Sequence, residues 1–98
     1  MYLHNLGIPD GEFETKTIAK AIRSFGFCSV RRPVAGDLVS ITRPTHKVLY
    51  QILSVEDNAV PRYEDVPEYK FWRGAMIDVI ETGRVTPEIR ALFAQQKG

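Results

Sequence analysis

The sequence predicts an α+β fold, a small antiparallel sheet with one N-terminal helix and two C-terminal helices. Three observations lead there. Residues 38–55 read as two strands joined by a short basic turn. Ile18, Ile22 and Phe25 recur at i, i+4 and i+7, the spacing of one helical face. Thr86-Pro87-Glu88 combines an N-cap, a proline at the first helical position and an acid at the positive end of the dipole.

In order along the chain, residues 1–13 read as an irregular arm, because Gly7, Pro9, Asp10 and Gly11 favour turns. The first helix is expected from a Thr15 cap to Gly26, with Lys16, Lys20 and Arg23 on the face opposite the apolar stripe. Phe27 to Val30 is β-prone and reads as a short strand. Leu38 to Thr42 alternates between two faces. Pro44 has no N–H for a ladder, so Arg43 to Lys47 is the hairpin loop. Val48 to Val55 is dense in apolar residues, as a strand covered on both faces would be, and is expected to be the longest strand.

Residues 56–67 form a connector with two prolines and four acids. Beyond it, Tyr69, Trp72, Met76, Val79 and Ile80 fall on one helical face over three turns, and Gly83 is a helix stop. A helix over 67–83 is the favoured reading. The rival is a strand through Met76–Ile80, separated by Gly74 from what precedes it. The last helix, from Thr86 onward, carries Ile89, Leu92 and Phe93.

The chain has 98 residues, enough for one domain over 1–98 and too few for two. At 44% hydrophobic and 26% charged it has a globular composition. No apolar run approaches a membrane-spanning length, and the start has no basic-then-apolar signal pattern. The single Cys28 makes no internal disulfide, which suits a reducing compartment, so a cytoplasmic setting or an intracellularly assembled particle is expected. Charge is uneven. Residues 14–50 carry seven Lys/Arg against two Asp/Glu, and 51–82 carry three against seven.

Little here suggests catalysis. His4, Cys28 and His46 are dispersed, without CxxC, HxxxH or HExxH spacing, so no metal is expected. A Cys28–His46 pair on neighbouring strands is conceivable, but nothing nearby announces a lowered thiol pKa. No glycine-rich phosphate loop is present. No cofactor and no small-molecule substrate are expected, and the chain reads as a non-enzymatic binding protein.

Two surfaces compete for that role. The first is Arg62, Tyr63 and Glu64 in the connector with Phe71 and Arg73 beyond it, since aromatics and arginine dominate protein–protein hot spots. The second is basic: Lys16, Lys20, Arg23, Arg31, Arg32, Arg43 and Lys47, with His46 at the hairpin tip. A basic helix followed by a hairpin resembles the recognition helix and wing of winged-helix domains, which implies nucleic-acid binding. The segment GDLVSI, a loop, then KVLYQILSVED resembles the central strands of SH3-like small barrels. That resemblance covers about 22 residues and implies a partial barrel. Small barrels with terminal helices also occur in phage connectors and adaptors. The expectation is therefore an assembly or adaptor protein that binds another protein or itself, with nucleic acid as the alternative.

Overall fold

A computed structural model describes residues 2–6 and 13–95. It corrects the α+β expectation: the described residues form seven strands and one helix. The strands are β1 (Leu3–Leu6), β2 (Phe13–Ala19), β3 (Ile22–Ser29), β4 (Leu38–Thr42), β5 (Lys47–Val55), β6 (Val60–Tyr63) and β7 (Val66–Asp78), followed by α1 (Pro87–Gln95). They join one sheet in the order β1-β4-β5-β7-β3-β2, and β6 pairs with the first part of β7. Only β1 and β4 run parallel.

This sheet is rolled. β1 and β3 stand four strand positions apart, so a flat sheet would separate them by about 19 Å. The His4 and Phe27 rings are instead 5.6 Å apart. Rolling follows from the residues on one face. Phe25 and Phe27 of β3, Val39 and Ile41 of β4, Tyr50 and Ile52 of β5, and Met76 of β7 form one buried cluster. Each strand contributes every second residue to it. A bulge between Ile52 and Ser54 leaves Leu53 outside the ladder and pairs Val55 with Gly74. Gly74 is obligatory. A Cβ there would lie 2.1 Å from the Ser54 carbonyl oxygen and 2.8 Å from the Phe25 ring.

The outer face of β1, β4 and β5 carries a second cluster: Leu3, Leu38 and Leu49 under Val79 and Ile89. Helix α1 supplies Ile89, a side chain whose full burial is worth roughly 1.5–3 kcal/mol. The expected start holds, since the Ile89 N–H donates to Thr86 Oγ1 at 3.2 Å. The side chains of Leu92 and Phe93 lie outside the described residues, as does the Gly7–Gly11 turn. No helix among the described residues is long and apolar enough to cross a membrane.

The 38–55 hairpin has the expected pairing, Leu38 to Thr42 against Gln51 to Lys47. Two other expectations fail, each for its own physical reason. The expected helix over 15–26 is the β2–β3 hairpin, turning at Lys20-Ala21 with Ala21 at φ 63°. The expected helix over 67–83 is mostly β7, at thirteen residues the longest strand. Ile18 and Ile22 fall on different strands, and the Lys20-Ala21 turn between them carries no Gly, Pro, Asn or Asp to announce it. In β7 a spacing of four satisfies a period of 3.6 and a period of two alike, so Trp72/Met76 reads both ways. In β7 the intervening inward position is Gly74, which carries no hydrophobic signal. Ile18, taken as core, is 58% exposed on edge strand β2. Without the first helix there is no recognition helix, so no winged-helix arrangement exists. The irregular arm contains β1, and the connector contains β6.

Candidate functional site

The outer face of β6, β7, β3 and β2 holds the best-defined surface feature. Phe71 and Arg73 are alternate residues of β7, and Val60 of β6 pairs with Phe71. Gly26 of β3 pairs with Arg73 on one side and Glu14 of β2 on the other. Its missing side chain leaves room for the Phe71 ring, because a Cβ on Gly26 would meet ring atoms at 2.6 and 2.7 Å. The ring therefore lies against the sheet. The Arg73 guanidinium stands 4.9 Å from the ring centre and donates to Glu14 Oε2 at 3.0 Å.

Both partners of that ion pair are half exposed. It contributes about 0.2–1 kcal/mol at most, so its effect is positional: it fixes Arg73 over Phe71. Depressions open on either side of it. One, of about 290 Å³, is lined by Val60, Pro61, Arg62 and Phe71. The other, of about 250 Å³, is lined by Lys16, Ser24, Glu56 and Gly74. Beyond Phe71, the Tyr63 ring stacks on Tyr69 with centres 5.8 Å apart and planes 2° apart.

Of the five residues expected at a partner surface, Arg62, Phe71 and Arg73 line one depression. Tyr63 is in the adjoining tyrosine stack, and Glu64 is in the turn between β6 and β7. Glu14 was not foreseen. It lies 59 residues from Arg73, and its one sequence signal is the small Gly26 between them. Tyr69, expected in a core, belongs to this outer stack.

The basic residues divide. Lys20 in the β2–β3 turn and Arg43 and Lys47 at the β4–β5 hairpin share the end of the sheet where β7 finishes, since Ala21 bonds Asp78 and Tyr50 pairs with it. His46 is in that hairpin loop. Arg23 is opposite Met76 near the same end, and Lys16 is midway along β2. Arg31 and Arg32 follow β3 at the other end. The Arg31 guanidinium is 3.9 Å from the Tyr2 ring centre, and Arg32 pairs with Asp57 and approaches Trp72 to 5.9 Å.

Cys28 and His46 are not on adjacent strands, because β5 and β7 separate β3 from β4. Among the described residues no three metal-binding side chains gather. His4 instead meets Asp37, and both are buried. Asp37 Oδ2 accepts from His4 Nε2 at 2.9 Å and the Val34 N–H at 3.1 Å, and Oδ1 accepts from the Tyr2 N–H at 3.1 Å. An ionised carboxylate only accepts, so Nε2 carries the proton. Burial pushes the Asp37 carboxyl up. The bonds from His4, Val34 and Tyr2, with the charge on His4, outweigh burial and hold it below its ordinary value. The pair ties β1 to the turn before β4. No protein-family model, curated protein or solved structure matches the chain, so the outer-face groove stands on its geometry alone.

Proposed function

We propose that the chain is a non-enzymatic binding or assembly protein that engages another protein through the outer face of β6 and β7. The observation behind this reading is the Phe71–Arg73–Glu14 arrangement, an aromatic ring and a guanidinium held in fixed positions beside a depression. Rigid aromatic and arginine anchors lose little entropy on contact, and they are enriched among interface hot spots. Val60 at 63% and Tyr63 at 48% exposure flank them, so apolar surface is available to be covered. An adaptor or component of a larger assembly fits this description.

A photo-crosslinking residue at Val60 tests it against the same residue at Leu53, which is also exposed but lies on β5. The Val60 position should give a discrete protein adduct in the source cell, and Phe71→Ala with Tyr63→Ala should abolish it while the fold persists. Equal adducts from both positions, or an adduct indifferent to those substitutions, would refute the assignment.

A further inference from the structure

The rim of the rolled sheet where β3 finishes, opposite the Lys20 and Arg43 end, carries a second, different site. Rolling brings Tyr2, just before β1, against Arg31, just after β3, with the guanidinium 3.9 Å from the ring centre. Next to it, Arg32 and Lys70 each stand 5.9 Å from the centre of the Trp72 ring. Their charges are therefore within about 12 Å of each other. The Trp72 indole N–H donates to the Ser29 carbonyl at 3.0 Å, which fixes the ring between them. Significant cation–aromatic contacts occur about once per 70–80 residues in proteins, and this rim gathers three. Among the described residues, the acid paired with these cations is Asp57, on Arg32. Asp37, behind the rim, is buried and already bonded to His4.

We propose that this rim binds the phosphate backbone of single-stranded nucleic acid through Arg31, Arg32 and Lys70. Like charges held together on aromatic rings favour an anionic ligand. The Arg31–Tyr2 pair favours unpaired bases over a duplex, because Tyr2 is 42% exposed and Arg31 beside it is exposed as well, with the His4 ring supporting Tyr2 from 4.7 Å. The rim borders the β6–β7 groove, since Lys70 pairs with Pro61 and Lys70 and Trp72 alternate with Phe71 and Arg73 along β7, but it rests on its own contacts.

The test is fluorescence anisotropy with a labelled oligothymidylate about a dozen residues long. Three phosphate contacts predict that log K falls by about two per tenfold rise in salt, at roughly 0.7 per contact. R31Q/R32Q should lower affinity at least tenfold at low salt and flatten the slope to about one contact. K20E/R43E, at the other end of the sheet, should leave both unchanged. Thermal melts confirm folding, and K70Q serves as a second rim variant if R31Q/R32Q does not fold. No binding at low salt overturns the proposal. So does binding lost with K20E/R43E but kept in the rim variants, equal affinity for duplex, or full displacement by millimolar inorganic phosphate.

Discussion

Gly74→Ala and Gly26→Ala make a matched pair with opposite expected outcomes. Both add one methyl group to a strand of the same sheet. At Gly74 the new Cβ would stand 2.1 Å from the Ser54 carbonyl oxygen, a backbone atom at the β5 bulge, and 2.8 Å from the buried Phe25 ring. Carbon contacts need about 3.5 Å, so the oxygen must retreat by more than 1 Å and the β5–β7 ladder must give way there. Overpacking costs about 1–3 kcal/mol and a broken ladder bond about 1 kcal/mol, against a gain of about 0.4–1 kcal/mol from a stiffer unfolded chain. The net loss is about 1–3.5 kcal/mol. At Gly26 the obstacle is the tip of the half-exposed Phe71 ring, which can swing outward, so the loss should stay under about 1 kcal/mol. Urea denaturation at unchanged m-value measures both. The thermal midpoint of Gly74→Ala should fall by roughly 4–28 °C, at 4–8 °C per kcal/mol. If the two variants lay within about 0.5 kcal/mol of each other, the close approach at Gly74 would not be what shapes β7.

Two further outcomes follow from buried polar groups. Asp37 has a depressed carboxyl pKa in the folded state, so its contribution is fully present above the unfolded value of about 3.9 and is lost as pH falls through the lower folded value. Asp37→Asn should therefore lower stability at pH 6 by about 1–3 kcal/mol and remove part of the acid-side slope; an unchanged pH profile by urea titration would contradict the role given to the carboxylate. Trp72→Phe deletes the donor to the Ser29 carbonyl and should lower stability by about 1 kcal/mol or somewhat more in the same assay, whereas a neutral result would mean water replaces that bond.

Sequence and structure agree where a signal has one interpretation. Leu38 to Thr42 alternates without a competing period, Val48 to Val55 is a dense β-prone run, and Thr86-Pro87 marks α1 through local chemistry. They disagree where spacing is ambiguous or information is distant. Residues four apart fit helix and strand equally, which hid β7, and a turn at Lys20-Ala21 without Gly, Pro, Asn or Asp hid the β2–β3 hairpin. Strand β1 has four residues, and its parallel partner is 35 positions away, so nothing local announces it. For the groove, residue type was enough to single out Arg62, Tyr63, Glu64, Phe71 and Arg73. Pattern did not reveal that Arg62, Phe71 and Arg73 line one depression, nor that Glu14 completes it through the gap at Gly26. The rim escaped notice because Tyr2 and Arg31 meet only when the sheet rolls.

The outer cluster beneath α1 has a consequence for how the chain acquires its structure. Leu3 and Ile89, 86 positions apart, depend on the same few side chains for cover. Neither strand β1 nor helix α1 can be secured early, since each needs β4 and β5 already paired and benefits from the other in place. Closing so long a loop is entropically expensive, and such non-local contacts slow folding toward milliseconds to seconds. Until it closes, β4 presents an unpaired edge beside Leu38 and Leu49, and this is the interval in which the chain is most exposed to aggregation.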